Sequence, residues 1–251
     1  MHSQTPEQTP EPESPPGAAR PRRRPTHRKG RATLTREGVG TAALEFLGGR
    51  PAAELTMRSL ADELGVSPRA LYNYVEDRRD LITVAAEVFE ARWQPPELDA
   101  QQWRDSLRGY LRDLRAHYRR HPGMTTLALG ENITTARHPA MLRNVDRLIG
   151  FFTEVGLPLR DAYLACMESI RLVVGFVELQ DRAFDRPPPG LDPADLEQVP
   201  PPWLRSGSSG AGDELPYLRR ASEELAAESP DALFEFAVDV LLEGLARRAL
   251  G

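Results

Sequence analysis

This chain of 251 residues is poor in cysteine, lysine and aromatic side chains, and it has no long hydrophobic run. Its single cysteine, Cys166, excludes an internal disulfide and a zinc site built from several cysteines. No apolar stretch approaches the length that crosses a bilayer, and the N-terminus lacks the apolar segment of a secretory signal. We therefore expect a cytoplasmic protein without a membrane partner, in which Cys166 is a buried structural thiol rather than a nucleophile.

Recognisable motifs for catalysis are missing as well. No glycine-rich phosphate loop, no histidine cluster with metal-ligand spacing and no Ser/His/Asp set can be placed in the chain. We therefore expect a protein that is not an enzyme and has no catalytic residue, metal or cofactor. No segment alternates apolar and polar residues over any length, whereas many segments repeat apolar residues at helical spacing. The sequence thus predicts an all-α fold.

Positive charge is concentrated at the N-terminus. Residues 1–33 hold seven Lys/Arg against three acidic side chains, whereas the rest of the chain holds 25 against 34. Because this segment also begins with a stretch rich in Pro, Glu, Ser and Gln, we expect a disordered basic arm that neutralises DNA phosphates without choosing a sequence. The alternative is a chain that simply favours arginine, since Lys29 is its only lysine. That alternative explains arginine over lysine but not the clustering.

The most informative motif covers residues 57–75, which have the spacing of a helix-turn-helix. Ala61 permits a close helix crossing, and Gly65 follows where the first helix must end with a positive φ. Ser67 and Pro68 then suit the cap and the first turn of a second helix. Any helical hairpin needs a glycine and an apolar seam, so the spacing alone leaves a purely structural hairpin open. The predicted seam consists of Leu60, Leu64, Val66, Leu71 and Val75.

The flanking segments favour DNA binding. Helical periodicity over residues 35–47 and 77–93 places the hairpin between two further helices, so that residues 34–93 would form an N-terminal DNA-binding domain. Outward-facing side chains on the second helix suit base edges and phosphates. We expect Arg69 and Asn73 to meet base edges, Tyr72, Tyr74 and Arg78 to hold phosphates, and Arg58, Ser67, Pro68 and Ala70 to complete the DNA contact.

Proline and glycine divide the remainder of the chain. Consecutive prolines in residues 94–99 end a helix and separate the two domains. Helical periodicity then recurs over residues 99–251, interrupted by a Pro/Gly/Ser-rich segment, residues 185–213, that we expect to be a mobile loop. The helices predicted near residues 160–184 and 231–249 carry more apolar surface than one small bundle needs.

The chain resembles the tetracycline-repressor (TetR) family of bacterial transcription regulators. The resemblance is carried by residues 55–68, LTMRSLADELGVSP, and by residues 69–81, RALYNYVEDRRDL. Trp103-Arg-Asp-Ser-Leu-Arg, the run FTEVGLPLRD over residues 152–161 and Gly175 are similar to the tetracycline-repressor branch itself. The resemblance implies a ligand-binding and dimerisation domain over residues 99–251. It also implies a homodimer whose two heads read a palindromic operator with half-sites about one helical turn apart.

The positions that contact tetracycline in that branch are largely replaced here. The ring-contacting histidine falls at Trp93, the asparagine at Tyr110, a phenylalanine at Leu114, the magnesium-binding histidine at Ala128 and a glutamine at Leu148. The resemblance therefore implies neither a tetracycline–magnesium site nor any metal. We expect a small apolar or aromatic effector instead. The residues predicted to contact it are Trp93, Tyr110, Leu114, His117, Leu127, Asn144 and Leu148, and each of them could equally be plain core.

Together these features predict a DNA-binding transcriptional regulator. In the main interpretation it is a ligand-responsive repressor, a homodimer on a palindromic operator that a small apolar or aromatic molecule releases. One alternative is a ligand-independent DNA-binding protein, which would show a filled second-domain core. Another is a small-molecule enzyme on a helical scaffold, which would need converging titratable groups.

Overall fold

The computed structural model describes residues 34–130, 139–187, 190, 215–224 and 228–249. The predicted basic arm, residues 1–33, and most of the predicted loop, residues 185–213, lie outside the described residues. Within the described part every regular element is helical, which confirms the all-α class. No helix in that part of the chain is long and apolar enough to cross a membrane.

The first helices form where local signals start and stop them. The Thr35 side chain accepts a hydrogen bond from Gly38 N at 2.9 Å at the start of the first helix. Asp77 accepts from Asp80 N at 2.8 Å in the same way further along the chain. Both caps satisfy backbone N–H groups that a helix leaves without partners. These elements are α1 (Arg36–Gly49), a 3-10 turn (Ala52–Glu54), α2 (Met57–Leu64), α3 (Pro68–Leu71) and α4 (Arg78–Arg92).

Helices α1 and α4 pack closely because Gly40 has no side chain. A Cβ atom at Gly40 would lie 2.5 Å from Cγ1 of Val84 and 2.9 Å from its carbonyl oxygen. About one turn earlier, at the start of α1, the Arg36 guanidinium donates to both carboxylate oxygens of Asp80, at 2.8 and 2.5 Å, and to the Tyr74 carbonyl at 2.6 Å. The ends of α1, α3 and α4 are thereby joined.

The second group of helices builds a separate core. Gly156 ends one of them with a φ of 110°, a conformation that glycine adopts freely. Pro158 follows and caps the next helix. The elements are α5 (Trp103–Arg120), α6 (Met124–Gly130), α7 (Pro139–Glu154), α8 (Leu159–Phe176), a π-helical turn (Val177–Asp181), α9 (Arg182–Asp185), α10 (Pro216–Glu224) and α11 (Pro230–Ala249).

A buried ion pair crosses this core. Arg115 on α5 donates to the two carboxylate oxygens of Asp181 at 2.8 and 2.6 Å, and Asp181 is completely buried. The Arg115 guanidinium also lies over the rings of Phe176 and Phe234, at 5.0 and 4.6 Å from their centres. It reaches Asp231 at 2.9 Å. This arginine therefore ties α5 to the π-helical turn and to α11.

Candidate functional site

Local hydrogen bonds, made by capping side chains and by the backbone, stabilise the hairpin of α2 and α3. Thr56 Oγ1 accepts from Ser59 N at 3.0 Å while Ser59 Oγ accepts from Thr56 N at 2.9 Å, a capping box at the start of α2. Gly65 ends α2 with a φ of 61°, as predicted from its position. Val66 N then donates to Ala61 O at 2.9 Å, which closes the turn.

The start of α3 is formed by Pro68 rather than by a side-chain cap. Pro68 stands in the first turn, as predicted, where its missing N–H costs little. The prediction that the Ser67 hydroxyl caps α3 is wrong, because this side chain makes no cap hydrogen bond to the described residues. The Ser67 carbonyl accepts from Ala70 N at 2.9 Å instead. The Ser67 side chain stays on the exposed surface of the hairpin.

The structure separates a buried seam from an outward surface. Leu60, Ala61, Leu71 and Val75 are buried, whereas Leu64 and Val66 are partly so. Tyr72 is 56% exposed although it is large and aromatic. We call the outward side chains the reading surface; Arg58, Ser67, Pro68, Arg69, Tyr72 and Asn73 are exposed, and Ala70 and Tyr74 are half-buried.

Helix α3 is shorter than a full recognition helix would be. Regular helix stops at Leu71, and residues 72–74 continue as turns in which Tyr74 N donates to Leu71 O at 2.8 Å. Asn73 Nδ2 donates to Ala70 O at 3.1 Å, so part of this amide is bound to its own turn. Arg69 is exposed on the same short element.

Arg78 occupies a different place from the one predicted. Its Nε donates to Leu55 O at 2.8 Å, and another guanidinium nitrogen donates to Ala52 O at 3.1 Å. The side chain is half-buried and spans from α4 to the segment before α2. Because these donors point at backbone carbonyls inside the domain, Arg78 fixes the hairpin on α4, and its predicted phosphate contact stays a prediction.

Aromatic rings meet where α4 ends against α5. The Trp93 indole N–H donates to Asp113 Oδ2 at 2.7 Å, and its ring meets Tyr110 edge-on at 5.3 Å between centres. His117 stacks against Phe89 at 4.2 Å and against Trp93 at 6.0 Å. Helix α5 thus presents an aromatic and polar face to the last turn of α4.

Five of the predicted ligand residues converge at this junction or in the core beside it. Tyr110, Leu114 and Leu148 are buried in one hydrophobic cluster, Trp93 packs against it, and His117 joins through its rings. We call these five residues, with Glu90 described below, the junction site. Leu127 and Asn144 fall outside the definition.

Leu127 and Asn144 lie elsewhere. Leu127 is half-buried and lines a groove of about 620 Å³ with Leu47, Arg50 and Arg186, beside the end of α1. Its predicted contact with the effector stays a prediction. Asn144 is half-buried on α7 and makes no hydrogen bond to the described residues, and its ligand contact stays a prediction.

Glu90 is a buried acid at this junction that the sequence did not single out. It lies on α4, one turn before Trp93, and only 6% of it is exposed. Burial raises the pKa of its carboxyl group from 4.5 to about 7. Its carboxylate makes no hydrogen bond or ion pair with any residue that the structure describes. The available signal was spacing, because Ala86, Glu90 and Trp93 share one helical stripe.

His117 is buried with one ring nitrogen unsatisfied. One nitrogen bonds to the Phe89 backbone, whereas Nε2 has no partner among the described residues. Burial, assisted by the positive charge of Arg120 and by His121, lowers the pKa of His117 to about 4 despite the opposing effect of Asp113. The imidazole is therefore neutral at pH 7, and Nε2 offers a lone pair.

The remaining chemistry of this domain is inert. Cys166 is buried, and burial raises the pKa of its thiol to about 12, as fits a structural thiol. Within the described ranges no three His, Cys, Asp or Glu side chains converge as a metal site.

A helix-turn-helix hairpin with an exposed polar surface, followed by a second all-α domain, defines a DNA-binding regulatory protein. Residues 95–249 match the model of the tetracyclin repressor-like C-terminal domain. The chain is 30% identical over 214 residues to the class A tetracycline repressor of Escherichia coli, covering 83% of this chain and 89% of that protein. The chain belongs to the tetracycline-repressor family of DNA-binding transcriptional regulators.

Further relatives agree with this assignment. The transcriptional repressor DrrR1 of Streptomyces coeruleorubidus is 26% identical over 226 residues, covering 89% of this chain and 81% of that protein. The crystal structure of the TetR family protein ActR of Streptomyces coelicolor in complex with actinorhodin has a TM-score of 0.68 and 21% identity. It covers 87% of this chain and 99% of that chain, and it shows the common fold. These relatives are named as regulators rather than as enzymes.

Proposed function

We propose that this protein is a homodimeric repressor that binds a palindromic operator through the reading surface and leaves it when a small aromatic molecule binds the junction site. The observation that carries the proposal is the pairing of an exposed polar hairpin with a ring-lined site at the end of α4. Because α4 also packs on α1, one helix connects both places. Such a protein acts where the DNA is, in the bacterial cytoplasm, and the basic arm would add phosphate contacts.

An uncovered apolar face supports the homodimer. Phe236 and Val240 on α11 are 71% and 59% exposed, and Leu159 and Leu164 on α8 are also exposed. Between the two helices runs a groove of about 520 Å³ with an apolar floor and charged residues such as Arg171 at its rim. A second copy presenting the same face would cover these side chains, as an isologous contact requires.

The dimer has a direct test. Val240→Glu would place a carboxylate in the lining of the groove, so we expect the mass measured by sedimentation to halve while the helical content persists. Tyr217→Glu on α10 is the control, because Tyr217 is 83% exposed and is absent from the lining of the groove. A dimer that survives Val240→Glu would contradict the proposed interface.

A row of rings offers the route from the junction site to the DNA-binding domain. From Trp93 the contacts run through His117 to Phe89 and then to His121, whose ring lies 6.1 Å from that of Phe89. His121 bonds to the backbone of Leu44 on α1. A ligand that displaces Trp93 would therefore act on α1 and α4 together. It shifts the balance between the DNA-binding and the released conformation only by the difference in its affinity for the two.

The ligand-independent alternative also has an observation in its favour. Tyr110, Leu114 and Leu148 are packed in the core, as a filled second domain would have them. The unsatisfied groups of Glu90 and His117 weigh against it, since a filled core has no use for them. Glu90 and His117 are also titratable groups that lie on neighbouring helix faces, which an enzyme would need. The named relatives support a regulatory role instead.

DNA reading is tested by selecting binding sites from random DNA. We expect Arg69→Ala to weaken operator binding by about 1–3 kcal/mol and to relax the preference at one base position, because an exposed arginine on α3 can bond a guanine edge. Arg143→Ala is the control, since Arg143 is an exposed arginine on α7, far along the chain from the hairpin. An unchanged base preference in Arg69→Ala would contradict the assignment of Arg69.

A further inference from the structure

Two buried polar side chains border the rings of the junction site. Glu90 and His117 are 94% and 93% buried. His117 Nε2 is a buried nitrogen without a hydrogen-bond partner in the described part of the chain, and the Glu90 carboxylate makes no hydrogen bond or ion pair there. Buried polar groups in native proteins are nearly always satisfied, so these two groups indicate a missing partner.

The helices place these groups on two faces that meet. Glu90 and Trp93 are three residues apart on α4, and Tyr110 and His117 are seven apart on α5, so each pair shares a helical face. The faces meet through the Trp93–Tyr110 and Trp93–His117 ring contacts. Burial raises the pKa of Tyr110, and the negative charge of Glu90 adds to that shift.

The chemistry of the cluster favours a donor as its ligand, because the ionised Glu90 carboxylate and the His117 lone pair are acceptors, while the Tyr110 hydroxyl can donate or accept. A carboxylate and an imidazole lone pair both need a donor, and the faces of Trp93 and Tyr110 attract cations. A second carboxylate, Asp113, is already engaged by the Trp93 indole N–H. The nearby cation that acts on Tyr110 is Arg147, which is exposed on α7.

We propose that the effector of this protein is an aromatic molecule carrying a protonated amine, whose ammonium group pairs with Glu90 and donates to His117 Nε2. The ring system packs against Trp93 and Tyr110. This inference rests on the proposed function, because it names the ligand class of the same site. It replaces a purely apolar effector by a cation, since an apolar ligand would leave Glu90 and His117 unsatisfied.

The test uses three matched probes that differ only in charge. Naphthylmethylamine is a cation at neutral pH, naphthylmethanol is neutral and naphthoic acid is an anion, all substituted at the same ring position. Binding to the full-length protein is measured by isothermal titration calorimetry. We expect the amine to bind about tenfold or more tightly than the alcohol, and the acid to bind most weakly, as a buried charged hydrogen bond requires.

Variants on α4 assign the preference to one carboxylate. Glu90→Gln should remove the preference for the amine, whereas Glu87→Gln should keep it, because Glu87 is exposed one turn earlier on the same helix. Burial raises the pKa of Glu90 to about 7, so amine binding near pH 7 should also release protons. Titrations in buffers of different ionisation enthalpy would detect that release in the wild type but not in Glu90→Gln.

Each outcome decides the proposal. Equal binding of the three probes, binding of none of them, or an unchanged preference in Glu90→Gln would overturn the ammonium site. If Glu90→Gln fails to fold, Glu90→Asp retains the charge and should retain the order of the probes with weaker binding. Operator binding by the same protein is measured separately, so loss of DNA binding would contradict the repressor function and not the ligand class.

Discussion

Helix α5 carries two buried polar side chains, Arg115 and His117, that the protein treats in opposite ways. They are two residues apart, so they point about 200° apart around the helix axis. Arg115 donates to Asp181 and Asp231 and lies over two phenylalanine rings. His117 stacks between rings but leaves Nε2 without a partner among the described residues.

The difference separates a structural role from the proposed binding role. The buried ion pair of Arg115, hydrogen-bonded to Asp181 and Asp231, joins α5, the π-helical turn and α11. A buried nitrogen without a hydrogen bond costs free energy, so His117 Nε2 supports the proposed ligand site. In this proposal one face of α5 stabilises the fold and the opposite face binds the ligand.

The largest effect is expected from breaking the buried ion pair of Arg115 and Asp181. Asp181→Ala would leave Arg115 buried without its main partner and should lower the free energy of unfolding by about 3–5 kcal/mol. Urea denaturation measures the loss. The exposed pair of Arg112 and Glu235, 2.6 Å apart, is the control, and Arg112→Ala should cost at most about 1 kcal/mol. If the two variants lost equal free energy of unfolding, burial would not make the Arg115–Asp181 pair more important for stability than the exposed pair.

A smaller effect is expected from pH, with opposite signs for Glu90 and His117. The pKa of Glu90 is raised from 4.5 to about 7, so its stabilisation is complete below pH 4.5 and is lost as the pH rises towards 7. The pKa of His117 is lowered from 6.5 to about 4, so its stabilisation is complete above pH 6.5 and is lost as the pH falls towards 4. In the wild type the two slopes oppose each other.

Replacing Glu90 or His117 should reveal the pH dependence of stability that the other residue causes. Relative to wild type, Glu90→Gln should gain on the order of 3 kcal/mol of stability between pH 4.5 and 7, and His117→Phe should gain a similar amount as the pH falls from 6.5 to 4. Chemical denaturation at several pH values measures both differences. Two parallel differences would contradict the assignment of opposite signs.

The smallest effect is expected at neutral pH. His117→Phe keeps a flat ring between Phe89 and Trp93 and removes the unsatisfied nitrogen, so the free energy of unfolding should rise by about 1 kcal/mol. The same variant should weaken binding of an ammonium probe. A variant that is less stable than wild type would indicate that Nε2 has a partner, such as an ordered water, and would weaken the contrast with Arg115.

The sequence predicted the hairpin well because its signals are local. The φ of Gly65 and the position of Pro68 depend on residues close by in the chain, and both are confirmed. Ser67 failed as a cap although serine is a good capping residue, because the oxygen must also meet a backbone N–H in three dimensions. The structural role of Arg78 could not be predicted for a related reason, since its acceptors Leu55 O and Ala52 O lie more than twenty residues earlier.

The sequence by itself determined the all-α class, the helix-turn-helix and the family, since periodicity, glycine and proline positions and motif spacing act within short stretches of chain. Only the tertiary structure decided which buried polar groups are satisfied. Arg115 and His117 are equally polar in the sequence, and Glu90 is one acid among many. Whether these side chains have partners depends on helices that are far apart in the sequence. Where a buried group has no hydrogen bond, burial disfavours its charged form and shifts its pKa.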